Sequence, residues 1–208
     1  MPPLGWAYMT RDELLCVIER ATDEGWKILD LVGDNLTEVP ATIGQLVHLE
    51  SLDLRFNRIH SLPPEIGQLK NLRSLNLRYN RLGQVPSEIG KLVHLKWLDL
   101  SDNQLKSLPP EIGLFPALET LDVSHNSLSN LPPEIGQLTQ LECFDASHNL
   151  LLSLPSEISQ LVRLKTCDLS DNKPLMYPPP EVIAKGIQEI IRYLKQQPQH
   201  GKDFVCEA

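Results

Sequence analysis

The chain has 208 residues, 41% hydrophobic and 22% charged, with a formal charge of −8. This balance fits one soluble globular unit, and no stretch approaches the ~20 apolar residues of a membrane span, so no membrane partner is expected. Binding to a phosphate backbone needs a net basic face, so no nucleic acid is expected as a partner either.

The opening "MPPLGWAYMTRDELLCVIER" has no apolar run long enough for a secretory signal. Residues 1–25 read as a capping helix. Thr10 with Glu13 forms a capping box, Leu14, Val17, Ile18 and Ala21 make an apolar stripe, and Gly25 is a stop. From there one line repeats. Its first letter falls at Trp26, Leu49, Leu72, Leu95, Leu118, Leu141 and Leu164, a spacing of 23 residues. "LESLDLRFNRIHSLPPEIGQLKN" from Leu49 and "LRSLNLRYNRLGQVPSEIGKLVH" from Leu72 agree at their apolar, Pro and Asn positions. Six copies are complete, and the repeats occupy residues 26–177.

Within a copy, Leu52 and Leu54 alternate with Ser51, Asp53 and Arg55, as a short strand with one buried face requires. The second half, "LPPEIGQL", opens on Pro with Glu in its first turn, which predicts one or two helical turns on the opposite face. No single copy can bury both apolar edges, so the stack is the folding unit. Residues 178–197 read as a second capping helix, with Ile183, Ile187, Ile190, Ile191 and Leu194 at helical spacing, and residues 198–208 as a loose tail. The expected fold is an α/β solenoid: curved, parallel strands on its concave face, short helices on its convex face, and a capping helix at each end.

The line matches the leucine-rich-repeat pattern L-x-x-L-x-L-x-x-N-x-L. In "LPPEIGQLxxLxxLDLSxNxL" it resembles the cytoplasmic leucine-rich repeats of the Ras-group and Roco proteins, and "DNKPLMYPPPEVIAKGIQEIIRYL" is similar to the segment that ends bacterial Roco repeats before a GTPase domain. The resemblance implies a non-catalytic protein-interaction module, or the regulatory arm of a larger Roco-type GTPase signalling protein, with a protein partner that includes a GTPase or GTPase domain among the candidates. No G-x-x-x-x-G-K-[ST] phosphate loop occurs in these residues, so nucleotide hydrolysis is not carried over. Cys16, Cys143, Cys167 and Cys206 are scattered without C-x-x-C spacing, which fits a reducing cytoplasm better than a disulfide-sealed secreted repeat.

The constant columns read as structure. Asn57, Asn80, Asn103, Asn126, Asn149 and Asn172 are expected to satisfy backbone groups between turns, with Asp34 standing in that column in the first copy. Asp30, Asp53, Asp99, Asp122, Asp145 and Asp168, with Asn76 between them, form an acidic column on the concave face. It is either relieved by local donors or an acidic floor for basic partners. Two residues further on stand Val32, Arg55, Arg78, Ser101, Ser124, Ser147 and Ser170, expected on exposed surface; one further on stand Gly33, Phe56, Tyr79, Asp102, His125, His148 and Asp171.

Function is expected in the letters that change. Arg55, Phe56, Arg58, Arg78, Tyr79 and Arg81 form a basic and aromatic cluster, with Trp97 outward on the next strand. These are residue types enriched at interface hot spots, because flat rings bury area at low entropy cost and guanidinium forks bind carboxylates. The alternative is that the arginines only cover Asp53 and Asp99. His125 and His148 between Asp102 and Asp171 are read as solvated surface rather than a metal site, and Cys143 and Cys167 as a small and a core residue. No residue pattern implies an oriented nucleophile or base, so no catalytic residue and no cofactor are expected.

Overall fold

The computed structural model describes residues 8–196; the expected tail and Cys206 lie outside the described residues. Seven three-residue strands, β1 (Ile28–Asp30), β2 (Ser51–Asp53), β3 (Ser74–Asn76), β4 (Trp97–Asp99), β5 (Thr120–Asp122), β6 (Cys143–Asp145) and β7 (Thr166–Asp168), pair in chain order in one parallel sheet. Every pair joins residues 23 apart, so Leu52 faces Leu75 and Leu75 faces Leu98. The repeat length in the sequence is therefore the register of the sheet, and six spacings of about 4.8 Å span about 29 Å.

The second half of each copy is a five-residue 3₁₀ turn, such as Pro64–Gln68 and Ser87–Lys91, entered from an extended proline. Its isoleucine, Ile66 or Ile89, is fully buried against the leucines of the strand. The glycine that follows keeps neighbouring turns close: a Cβ on Gly67 would lie 2.5 Å from the carbonyl oxygen of Glu88. The sixth copy carries Ser159 in that column, and there the element packed against the turn is a helix rather than another 3₁₀ turn.

Helix α1 (Arg11–Asp23) covers the first copy with Leu14, Ile18 and Ala21. The Thr10 hydroxyl accepts from the Glu13 N–H at 3.2 Å, and the Glu13 carboxylate accepts from the Thr10 N–H at 2.7 Å. Gly25, at φ 63°, ends the helix while the Trp26 N–H donates back to the Ala21 carbonyl at 2.9 Å. At the other end the periodicity that predicts one helix yields two, α2 (Pro180–Ile183) and α3 (Ile187–Gln196). The break falls at Gly186, whose φ of 86° is a left-handed conformation that no helix continues through. Ile187, Ile190, Ile191 and Leu194 of α3 bury the apolar edge of the last repeat.

Candidate functional site

The acidic column has a local explanation. Each of its side chains accepts the backbone N–H two residues on: Asp53 from Arg55 at 3.1 Å, Asn76 from Arg78 at 3.1 Å, and Asp99 from Ser101 at 2.9 Å. Asn76 fits the column because only an oxygen at that place is needed. In copies four and five the serine hydroxyl donates as well, Ser101 to Asp99 at 2.6 Å and Ser124 to Asp122 at 2.7 Å. Ser101, Ser124 and Ser147 are consequently buried, not the exposed positions that alternation suggests. Desolvation, together with the carboxylates of Asp99 and Asp145, raises the pKa of Asp122 despite the two bonds from Ser124.

Past each strand the chain must turn while the next side chain, asparagine, points into the solenoid. The Asn57 amide donates to the carbonyls of Leu31 at 2.7 Å and Leu54 at 2.9 Å, and its oxygen accepts from the Leu36 N–H at 2.9 Å. The residue just before it makes the turn possible by adopting a left-handed backbone. Phe56, Tyr79, Asp102, His125, His148 and Asp171 have φ between 51° and 58°, and Gly33 in the same column has φ 75°. All seven residues in that column are therefore in a region that costs each of its six L-residues about 1–2 kcal/mol, and which Gly, Asn, Asp and His enter most readily. Gly33, Asp102, His125, His148 and Asp171 obey that preference. Phe56 and Tyr79 do not.

The two exceptions are exposed and stack on each other, as the exposed His125 and His148 also do. Phe56 and Tyr79 are 53% and 42% exposed, their ring centroids 4.7 Å apart and their planes 15° from parallel. The Arg78 guanidinium carbon lies 4.7 Å over the Tyr79 ring, and its Nε donates to Asp102 at 3.1 Å. Arg55 pairs with Asp53 at 3.3 Å. Half of the covering alternative is thus realised at Asp53, while Arg78 turns to Asp102 rather than Asp99. Arg58 and Arg81 come two residues after the stacked rings and are exposed, and among the described residues no carboxylate pairs with either.

The structure thus brings Arg55, Phe56, Arg58, Arg78, Tyr79 and Arg81 to a rim at the C-terminal ends of the strands. Trp97 is not beside them. It opens β4 in register with Ser74, so it stands half-buried on the floor at the other end of the strands, roughly 10 Å or more away along the chain direction. Sequence reasoning set Gly33 and its six counterparts in one column but missed that the column is left-handed. The signal was present, since five of the seven residues there are Gly, Asp or His.

On the same rim His125 stacks on His148 at 4.0 Å and 12°, and the His148 Nε2 lies 3.2 Å from Asp171. Among the described residues no group of three or more His, Cys, Asp or Glu side chains converges as a metal site would. Cys143 and Cys167 line a shallow depression of the floor with Asp122, Asp145 and Asp168, and burial first, then Asp168 and Asp145, pushes the Cys167 thiol up to about 12. Among the described residues no helix is long and apolar enough to cross a membrane.

Comparison with known proteins sets the class. Models of the leucine-rich repeat match residues 27–82 and 47–105, and a model of the leucine-rich repeat region matches residues 83–175. The chain belongs to the leucine-rich-repeat proteins. A leucine-rich-repeat protein of Leptospira interrogans is 41% identical, with a TM-score of 0.68 over 75% of this chain and 38% of its own. The Arabidopsis receptor kinase HAESA, solved with the peptide hormone IDA and the co-receptor SERK1, is 32% identical, with a TM-score of 0.63 over 69% of this chain and 25% of its own. The leucine-rich-repeat domain of the type III effector XopL shares the fold at 26% identity and a TM-score of 0.65, over 80% of this chain and 68% of its own. The chain spans well under half the length of the first two. No curated protein matches it.

Proposed function

We propose that the chain is a non-catalytic protein-interaction module whose partner docks on the rim of copies two to four, with Phe56 and Tyr79 as apolar anchors. One observation carries the reading: two aromatic side chains stand exposed at backbone positions that penalise them. A structural role would be served better by the Asp or His that other copies use. Arg55, Arg58, Arg78 and Arg81 surround the anchors as forks for carboxylates, and Trp97 offers a separate contact on the floor. The similar receptor kinase HAESA forms a complex with a peptide hormone and a co-receptor, which supports a proteinaceous ligand here.

A second reading, the recognition arm of a larger Roco-type GTPase signalling protein, is favoured by the segment from Asp171 to Leu194 and makes a GTPase or GTPase domain the partner. A reducing, cytoplasmic setting is supported by Cys16, Cys143 and Cys167, which are all free thiols. Capture from a lysate tests the site. The wild-type chain and Glu88→Lys, a change on the convex face, retain the same partner, and Phe56→Gly/Tyr79→Gly loses it. Loss with Glu88→Lys and retention by the double variant would place the site on the convex face.

A further inference from the structure

The rim carries a stack with one place empty. Along the left-handed column, the Asp102 carboxylate holds the Arg78 guanidinium, which lies over Tyr79, which stacks on Phe56; the next position is Gly33. Apart from its chain neighbours Val32 and Asp34, a Cβ built on Gly33 meets no atom within 4 Å, and among the described residues no second ring covers Phe56. The far face of Phe56 is therefore an open wall beside a residue with no side chain. Its neighbours in the column are 4.7 Å apart at Phe56 and Tyr79 and 4.0 Å apart at His125 and His148, so each place in the column has the thickness of one ring.

The slot's own copy holds Asp30, Asp34 and Glu38, the last paired with Arg11, but along the rim beyond it the charge is basic. In copies two to four the residues after the strands read RFNRIHSLP, RYNRLGQVP and SDNQLKSLP, and the single acid among them, Asp102, is already held by Arg78. Arg58, Arg81 and Lys106 are exposed, and no carboxylate of the described residues pairs with them. A local basic strip in a chain of net charge −8 attracts an anionic segment and repels a basic one.

We propose that the rim binds an acidic peptide segment running along the solenoid axis, with one aromatic ring in the slot beside Gly33 and its following carboxylates on Arg58 and Arg81. The spacing suits an extended chain. Successive repeats are about 4.8 Å apart, same-side residues of an extended peptide about 6.8 Å apart, and the long arginine side chains take up the difference. A ring on the open face of Phe56 extends an existing stack, which is favourable beyond its buried area. This partner chemistry rests on the protein-interaction reading of the same rim.

The probe is the peptide acetyl-Trp-Glu-Glu-Glu-Glu-amide, followed by amide chemical shifts of the full chain at low salt. Shifts are expected at Gly33, Phe56, Arg58 and Arg81, weakening severalfold as salt is raised. Changing the four glutamates to glutamine, the probe's tryptophan to alanine, or the protein by Arg58→Glu/Arg81→Glu should each weaken binding at least about tenfold. Gly33→His fills the slot with a ring, in a left-handed backbone that His125 and His148 already adopt, and should abolish binding while Gly33→Asn does not; thermal melts confirm that both fold. Equal binding of the glutamine peptide at the rim would overturn the acidic partner while leaving the rim as a binding site. Undiminished binding to Gly33→His would overturn the slot, and no shifts at the rim would overturn the proposal. A captured partner lost by Phe56→Gly/Tyr79→Gly but indifferent to Arg58→Glu/Arg81→Glu would likewise leave only the broader reading.

Discussion

Replacing Tyr79 separates what the fold asks of that position from what the partner asks. Tyr79 sits at φ 52° with its ring on Phe56 at 4.7 Å and under Arg78 at 4.7 Å. The left-handed backbone costs an L-residue about 1–2 kcal/mol, the aromatic stack returns about 0.5–1.5 kcal/mol, and the exposed cation–π contact returns about 0.5–1 kcal/mol. The ring therefore comes close to cancelling its own strain. Tyr79→Ala keeps the strain and loses both contacts, so it should destabilise by about 1–2 kcal/mol. Tyr79→Gly loses the same contacts but also the strain, against about 0.5–1 kcal/mol of extra chain entropy, so it should be more stable than Tyr79→Ala by about 0.5–1 kcal/mol. In an ordinary strand or helix the order is the reverse. Urea unfolding midpoints, with a shared m-value, give the comparison. An alanine variant as stable as the glycine variant, or more so, would refute the strain argument, and with it the reason for reading Phe56 and Tyr79 as functional.

Three further outcomes follow from the fold. Asn103→Ala leaves the Leu82 N–H and the carbonyls of Leu77 and Leu100 without the partners they have at 2.9 to 3.1 Å, so urea unfolding should show a loss of about 3 kcal/mol or more, whereas Asn103→Asp should keep the accepting half of the set. Cys167 should resist alkylation at pH 8 while exposed Cys16 reacts, because its thiol is pushed up to about 12. Since that folded value lies above the ordinary 9.0, the associated stability is complete below pH 9 and is lost as pH rises toward 12, and Cys167→Ser should flatten the fall.

The fold was legible because a 23-residue line is also the strand register, so one observation sets the strand order, the parallel sense and the inward leucines. The terminal helices were legible from Thr10, Glu13 and the isoleucine spacing, but the break at Gly186 was not, since the apolar period runs through it without a phase change. The site was half legible. Aromatic and arginine side chains in variable columns pointed to copies two and three, yet alternation alone cannot show that the chain leaves the extended conformation after Asp53. It therefore carried Ser124 and Ser147 to the surface and grouped Trp97, outward on the next strand, with the rim residues as one contact surface. Both follow from the Asx bonds and the left-handed residue at each strand end, which pull the serines inward and send the aromatics to a rim.

Calorimetric titration of a captured partner against three forms of the chain tests the central claim most directly: that the rim, not the convex face, binds a protein. Phe56→Gly/Tyr79→Gly should weaken binding by about 2 kcal/mol or more, roughly 30-fold, while Glu88→Lys leaves the affinity of the wild-type chain unchanged. Equal affinity for the wild type and the double variant, with loss in Glu88→Lys, would contradict it.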